Sequence, residues 1–190
     1  MKINWKKLII SLAVPLAVGG LSAWLSGGAM ERFDSLQKPA LAPPSWLFPV
    51  VWTILFLMMG VASYLVAVGK ADEKQKKTAL IVYGVQLAFN FAWTLIFFNA
   101  GAYLFAFIWL IVLWLLIIVT IYLFSNISFV SALRLVPYAL WVAFAGYLNF
   151  MIYPIRVFVK PKNTQFGEQK IGEISQIGYP TLTKYSKRVI

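Results

Sequence analysis

The sequence predicts an all-α membrane protein: a bundle of five transmembrane helices with a long, proline-rich loop between helices 1 and 2. The 190-residue chain is 61% hydrophobic and only 12% charged, with a mean hydropathy of +0.79, whereas a soluble domain carries about 25% charged residues. Its apolar residues also fall into five runs, each near the roughly 20 residues that a helix needs to cross a bilayer. Composition and run length therefore agree on the fold class.

The five runs extend from about Leu8 to Leu25, Leu47 to Val68, Thr78 to Phe98, Ala102 to Phe124 and Leu133 to Tyr153. The first has an alternative interpretation, because a basic start, an apolar run and small residues are also typical of a secretory signal. We favour a membrane span, since the run is long for such a signal. The membrane domain would then cover residues 1–156, and the polar residues 157–190 are expected to form a disordered tail.

The linkers predict a compact bundle with one exception. "NAG" at 99–101 is short enough to make the third and fourth spans an antiparallel hairpin. The basic stretch "GKADEKQKK" before the third span is predicted to be a solvated loop, and "SNISFVS" offers caps for the fifth helix. The exception is the connection 26–45, which contains Pro39, Pro43 and Pro44. Proline fixes its own φ and restrains the preceding residue, so this connection is predicted to be a rigid, extended cover.

Charge and residue usage exclude several function classes. The net charge is +11, but the basic residues flank apolar runs, where they meet lipid headgroups rather than nucleic acid. The chain has no cysteine and no histidine, so the commonest metal ligand and the usual general base are missing, and we expect no metal site and no cofactor. Apart from Arg134 near a helix end, the spans lack ionisable groups of the kind that ion-coupled transport requires.

The distribution of lysine and arginine bears on orientation. Within the membrane domain it places the N-terminus and the 70–77 loop in the cytoplasm, although the seven basic residues from Arg156 onward oppose this assignment. We expect a multi-pass protein of a bacterial cell membrane.

Aromatic and amide side chains share one face on three of the predicted helices. Spacings of three and four residues produce such stripes, namely Phe48 and Trp52 on the second span, Gln86, Asn90, Trp93 and Phe97 on the third, and Tyr138, Trp141, Ala145 and Asn149 on the fifth. Each stripe alone is explained by helix packing. Together they describe an apolar pocket with few hydrogen-bonding groups, which is typical of a site for a large, flat hydrophobic ligand.

Three segments resemble the TspO/MBR family, the tryptophan-rich sensory proteins and their translocator-protein (peripheral-type benzodiazepine receptor) relatives. They are "FDSLQKPALAPPSWLFPVVWTILFLMMGVASYLV", "QLAFNFAWTLIFF" and "LVPYALWVAFAGYLN", and the resemblance extends from about Trp5 to Tyr153. It implies a homodimeric five-helix bundle whose first loop closes a pocket for porphyrins, sterols and benzodiazepine-type ligands. It also implies that Phe33, Trp52, Asn90, Trp141 and Ala145 surround the ligand. Leu41 and Phe33 depart from the family, which often has tryptophan at the first position and tyrosine or tryptophan at the second.

The resemblance and the stripes together give the predicted ligand-binding set: Phe33, Phe48, Trp52, Gln86, Asn90, Trp93, Tyr138, Trp141, Ala145 and Asn149. The function implied is a receptor or transport-type protein that binds tetrapyrroles in porphyrin transport, sensing or homeostasis. The ring would stack on tryptophan, and its carboxylates would reach Arg32 or Lys38. Without histidine or cysteine as axial ligands, a metal-free protoporphyrin is favoured over haem.

Two further functional interpretations stay open. Trp52 and Trp141 would be catalytic if the protein degrades protoporphyrin with light and oxygen, as the resemblance allows; a purely structural membrane protein is the other alternative. Leu148, Tyr153 and Arg156 also fit a loose sterol-recognition pattern. An interfacial tyrosine and a snorkelling arginine at a helix end explain that pattern equally well.

Overall fold

The computed structural model describes residues 3–36, 39 and 41–158, with side chains described as far as Ile152. These residues form six α-helices: α1 (Trp5–Leu25), α2 (Ala29–Ser35), α3 (Leu47–Ala67), α4 (Glu73–Thr94), α5 (Tyr103–Ser125) and α6 (Phe129–Phe158). A π-helical turn, Leu95–Asn99, continues α4. All but α2 are long and apolar enough to cross a membrane, which confirms the five predicted spans. Residues 159–190 of the predicted tail lie outside the described residues.

Side-chain caps mark where three of these helices begin. The carboxamide oxygen of Asn4 accepts from the Lys7 N–H over 3.1 Å at the start of α1. Asp72 accepts from the Gln75 N–H over 2.9 Å at the start of α4. Before α6, the hydroxyl of Ser128 accepts from the Ser131 N–H over 3.3 Å, as the sequence predicted. Each cap satisfies a backbone donor that has no partner inside the helix.

The second part of the basic stretch before the third span is helical rather than a loop. The sequence predicted that this span begins at Thr78, but α4 begins at Glu73. The Asp72 cap and the position of Glu73 at the positive end of the helix dipole stabilise an extra turn. Lys76 forms an ion pair with Glu73 in that turn. The prediction of a solvated loop up to Lys77 was therefore wrong by about one helical turn.

α1 packs closely against α3 at Gly60. A Cβ added at Gly60 would lie 2.9 Å from the Leu12 Cα and 2.9 Å from the Ser11 carbonyl oxygen. That oxygen would normally accept from the N–H four residues later, but position 15 is a proline and has no N–H. The backbone of α3 thus approaches α1 where the ladder of α1 is interrupted. α1 is part of the bundle, which favours its interpretation as a span.

The core runs along the bundle axis and is mostly apolar. Met59, Val66, Leu113, Ile117 and Phe124 are fully buried in it. Many large apolar side chains point outward instead, among them Ile9 and Leu115. An apolar exterior around an equally apolar core is the arrangement expected when the surrounding solvent is lipid.

The connection between the first two spans differs from its prediction. We expected an extended cover throughout, but its first half forms the short helix α2. Gly28 precedes α2 with a φ of +73°, a left-handed conformation that glycine adopts without strain. The chain becomes extended at Leu36 (φ −75°, ψ 146°), and Pro49 lies in the first turn of α3 as predicted. Lys38 lies outside the described residues.

Candidate functional site

A cavity of about 320 Å³ lies inside the bundle at the end closed by α2. Five elements line it: Gly19, Ser22, Ala23 and Ser26 at the end of α1, Gly28, Ala29, Met30, Glu31 and Phe33 in and before α2, Phe48, Pro49, Trp52 and Phe56 on α3, Asn90, Trp93, Thr94, Phe97 and Phe98 on α4 and its π-helical turn, and Ala145, Leu148, Asn149 and Ile152 on α6. Its volume is near the lower end of the roughly 300–1,000 Å³ typical of small-molecule sites.

Aromatic rings in edge contact form the wall beneath α2. The centroid of Phe33 lies 4.8 Å from that of Phe48, and Phe48 lies 5.8 Å from Trp141. Deeper in the bundle, Trp52 lies 5.5 Å from Phe56 and 6.0 Å from Tyr138. The Trp52–Phe56 pair is tilted by 30° and the other three pairs are edge-to-face; aromatic pairs at such separations attract one another, so the rings hold one another in place. The wall is therefore rigid and apolar before any ligand arrives.

The π-helical turn at the end of α4 supplies the opposite wall. The Ala100 N–H donates to the Leu95 carbonyl oxygen over 3.0 Å, a five-residue step that widens the helix. Two consecutive residues of this turn, Phe97 and Phe98, both line the cavity, and Phe97 stacks on Trp93 with centroids 5.3 Å apart. Gly101, at a φ of +60°, then lets the chain reverse into α5. Such π turns often occur at functional sites.

A buried chain of hydrogen bonds lies below this cavity. The Asn90 amide donates to the Tyr138 hydroxyl over 3.0 Å, and that hydroxyl donates to Gln86 Oε1 over 2.8 Å. Gln86 Nε2 in turn lies 4.0 Å from the Met59 sulfur. The three polar groups that the sequence assigned to the ligand thus bind one another and join α4 to α6. Of the three, Asn90 lines the cavity.

Asn149 clamps α6 to the start of α5. In the amide orientation that satisfies its hydrogen bonds, it donates to the Tyr103 carbonyl oxygen over 2.9 Å and accepts from the Phe107 N–H over 3.2 Å. These two backbone groups are four residues apart, the spacing of one helical hydrogen bond in α5. The amide therefore binds both the acceptor and the donor of one turn. Asn149 borders the cavity, but its polar atoms are engaged by the backbone.

The hydrogen bonds of the indole nitrogens divide four of the tryptophans into two groups. Trp109 donates to the Phe89 carbonyl oxygen over 2.9 Å and Trp114 to the Ala139 carbonyl oxygen over 3.1 Å, so both fasten helices together. Trp93 Nε1 and Trp141 Nε1 are buried but find no acceptor in the described part of the chain. An unpaired buried donor is unfavourable, and it is often explained by an acceptor that a ligand or water supplies.

α2 is fastened over the cavity at both ends. Arg32 Nη2 donates to the carbonyl oxygens of Ser26 (3.1 Å) and Gly27 (2.7 Å) and to Asn99 Oδ1 (3.3 Å). Asn99 Nδ2 donates in turn to the Leu25 carbonyl oxygen over 2.9 Å. On the far side, the Ser45 hydroxyl donates to Asp34 over 2.7 Å. α2 and these contacts form the cover of the cavity.

The structure brings most of the predicted ligand-binding residues to one place. Phe33, Phe48, Trp52, Asn90, Trp93, Ala145 and Asn149 line the cavity. Gln86 and Tyr138 lie behind its wall in the hydrogen-bonded chain, and Trp141 lies behind Phe48. Arg32, predicted to meet ligand carboxylates, is instead engaged by the cover.

Sequence patterns missed several residues of the cavity. Glu31 at its rim and Ser22 and Ser26 at the end of α1 all line it, but none lies on a stripe of aromatics and amides. A pattern based on helical spacing detects residues that share one face of a long helix, and α2 is too short to show such a face. Only the family's loop, which the resemblance places over the pocket, pointed to this region.

The sterol-recognition pattern is divided by the structure. Leu148 is 3% exposed and lines the cavity, so its side chain faces the interior of the bundle. Tyr153 and Arg156 lie in α6, but their side chains are outside the described part. The three residues therefore stay a prediction as a sterol site.

Comparisons with known proteins match the cavity-bearing bundle as a whole. The model of the TspO/MBR family matches residues 11–154. "Tryptophan-rich protein TspO" of Chlorobaculum tepidum is 37% identical over 146 residues, 76% of this chain and 92% of that protein. "Protein CrtK" of Rhodobacter capsulatus is 36% identical over 143 residues, 75% of this chain and 88% of that protein.

A eukaryotic relative is similar over a somewhat shorter stretch. The human "Translocator protein" is 34% identical over 134 residues, 70% of this chain and 79% of that protein. The family model, these relatives and the five membrane-crossing helices agree. The chain is a multi-pass membrane protein that belongs to the TspO/MBR family.

Proposed function

We propose that the cavity beneath α2 binds a tetrapyrrole of the protoporphyrin type, and that the protein acts in porphyrin transport, sensing or homeostasis. The observation that carries this proposal is the cavity's composition: aromatic rings on α2, α3 and α4 enclose a space with few polar atoms. A flat, conjugated macrocycle stacks well on such walls. Membership of the TspO/MBR family supports ligand binding in general, and porphyrins are the ligands that the family resemblance implies.

One unpaired donor and one amide at the cavity suit a ligand with ring nitrogens and carbonyl groups. Trp93 lines the cavity, and its indole N–H has no acceptor among the residues described. A modest rotation of that ring would present the N–H to an acceptor on a ligand. The Asn90 amide, also on the wall, offers a second polar contact about one helical turn away.

The size of the cavity implies that the cover moves. A tetrapyrrole needs more space than a cavity of about 320 Å³ offers. Binding therefore requires the cavity to widen, and we infer that α2 shifts outward. The contacts that hold α2 include the hydrogen bonds of Arg32 and Asp34 and the packing of the buried Phe33 ring on Phe48, so these contacts would have to yield when α2 opens. Sterol-like and benzodiazepine-type ligands would enter by the same route. The homodimer implied by the resemblance stays a prediction.

Tryptophan fluorescence tests ligand binding directly. Titration with protoporphyrin should quench the emission of the wild-type protein, and the Trp52→Ala, Trp141→Ala double variant should bind about tenfold more weakly, which corresponds to about 1.4 kcal/mol. Trp24→Ala is the matched control, because Trp24 is 76% exposed on α1. Unchanged affinity in the double variant would exclude this cavity.

A filled cavity provides a second test that leaves the tryptophans in place. Ala145 lines the cavity, whereas Ala143 on the same helix is exposed. Ala145→Phe should therefore abolish protoporphyrin binding, and Ala143→Phe should leave it intact. Equal binding by both variants would contradict the proposal.

A second candidate is the photo-oxidative degradation of protoporphyrin by light and oxygen. The observation that favours it is the position of the Trp52 indole on the cavity wall, where it would contact a bound macrocycle. Trp141 lies one ring further back, 5.8 Å from Phe48, so Trp52 is the better candidate for the reacting residue. Under illumination, a genuine activity would remove porphyrin absorbance faster than free tryptophan does, and Trp52→Phe would slow it. Equal rates would exclude catalysis.

A further inference from the structure

A second hollow lies at the opposite end of the bundle, between α1 and α4. It has a volume of about 700 Å³, and side chains of α3 form its floor. We call it the α1–α4 groove. It shares no lining residue with the cavity beneath α2. The ligand proposed above therefore does not explain it.

The mouth of the groove is positively charged. The side chains of Lys7, Lys76 and Lys77 line it together with one carboxylate, Glu73. The carboxylate is paired with Lys76, whose ammonium group also donates to the Gly69 carbonyl oxygen over 3.4 Å. Lys7 donates to the Ala67 carbonyl oxygen over 3.1 Å. The mouth thus holds three cations and one anion. Two of the cations, Lys7 and Lys76, are fixed by carbonyl oxygens of α3 and of the segment after it. The excess of positive charge suits an anionic group.

The interior of the groove is mostly apolar, although the hydroxyl-bearing side chains of Ser11, Ser63 and Tyr83 also line it. Ile10 and Val14 of α1 face Leu80 and Leu87 of α4 across it. At Gly84 an added Cβ would have no atom within 4 Å, so the α4 backbone is open to the groove there. A flexible hydrocarbon chain could lie directly on this stretch of α4.

We propose that the α1–α4 groove binds one anionic phospholipid, with its phosphate between Lys7 and Lys77 and one acyl chain running past Gly84. Both bordering helices are membrane-crossing, so the groove opens where lipids are the available ligands. The mostly apolar interior gives a free phosphate ion no advantage, whereas an acyl chain can pack along it by van der Waals contact, which is the kind of contact that drives association inside a bilayer. The charge at the mouth selects an anionic over a zwitterionic headgroup.

Native mass spectrometry of the detergent-solubilised protein tests the site. After extensive washing in detergent, the protein incubated with phosphatidylglycerol should retain one lipid molecule. The fraction of protein that retains phosphatidylcholine of the same chain length should be at least fivefold smaller. Lys7→Gln with Lys77→Gln should reduce retention of phosphatidylglycerol to the phosphatidylcholine level. Lys70→Gln with Lys74→Gln removes the same charge from exposed positions outside the groove and should have little effect.

A filled groove tests the acyl chain separately. Gly84→Leu should displace the lipid without a clash, because its Cβ meets open space; Gly20→Leu on α1 is the matched control, since its Cβ is equally unobstructed and lies outside the groove. Equal retention of the two lipids, or equal effects of the groove and control variants, would overturn the proposal. Displacement of phosphatidylglycerol by millimolar inorganic phosphate would also overturn it, in favour of a phosphate-ion site.

Discussion

The side-chain amide of Asn90 on α4 donates a 3.0 Å hydrogen bond to the hydroxyl of Tyr138 on α6. Both groups are buried, and the same hydroxyl donates onward to Gln86 over 2.8 Å. In an apolar bundle this chain fixes the register of α4 against α6. It thereby sets the separation of two of the helices that enclose the cavity.

Tyr138→Phe should destabilise the protein. The change removes the hydroxyl that both amides use and leaves buried polar atoms on Asn90 and Gln86 without that partner. We expect the free energy of unfolding to fall by about 1–2 kcal/mol. Chemical unfolding in detergent measures the difference. Tyr147→Phe, at a 39% exposed position on the same helix, should have no comparable effect, and equal losses would show that the chain is not stabilising.

Gly60→Ala should also destabilise the bundle, by about 1–3 kcal/mol. The new methyl group would meet the α1 backbone at 2.9 Å, and backbone cannot move aside as a flexible side chain can. Gly84→Ala is the control, because an added Cβ there has open space. That variant should be neutral or stabilised by up to about 1 kcal/mol through helix propensity. Thermal unfolding of the two variants should therefore shift in different directions, and a shared loss would refute the close approach of α1 and α3.

Asn99→Ala should speed ligand exchange. Asn99 accepts from Arg32 and donates to the Leu25 carbonyl oxygen, so its loss releases one end of the cover. Stopped-flow quenching should show association and dissociation rates for protoporphyrin that both rise severalfold, with a smaller change in affinity. Asn126→Ala, at an exposed position after α5, should leave both rates unchanged. Unaltered rates in Asn99→Ala would mean that the cover does not control entry.

Glu31→Gln should strengthen the binding of porphyrins that carry free carboxylates. Glu31 lines the rim of the cavity, and two like charges about 4 Å apart in water repel by about 1 kcal/mol. We expect protoporphyrin affinity to rise about fivefold, measured by fluorescence titration. The dimethyl ester of protoporphyrin lacks the charges and should bind the variant and the wild type equally. A matching rise for the ester would point to a packing effect instead.

The five spans could be predicted from the sequence because run length and hydropathy suffice to define a membrane helix. The cavity could be predicted in outline, because spacings of three and four reveal which residues share a face. They do not reveal which neighbour that face meets. Gln86 and Tyr138 were therefore predicted to contact the ligand, although their side chains form a hydrogen bond with each other. The family resemblance added Phe33, which no stripe contained.

The features that the sequence did not reveal are all local. α2 has seven residues, too few to show a hydrophobic period, and prolines nearby indicated an extended chain. The π-helical turn differs from an α-helix by one hydrogen-bond step and has no distinctive composition. Arg32 looked like a free cation beside the pocket, but the carbonyl oxygens after α1 and the Asn99 side chain hold its guanidinium.

A structure of the protein with bound protoporphyrin tests the proposed site most directly. We predict that the macrocycle lies beneath α2 in contact with Trp52 and Ala145, and that α2 is displaced outward with the Arg32–Asn99 hydrogen bond broken. A macrocycle on the lipid-facing surface or in the α1–α4 groove, with the cavity still closed by α2, would contradict it.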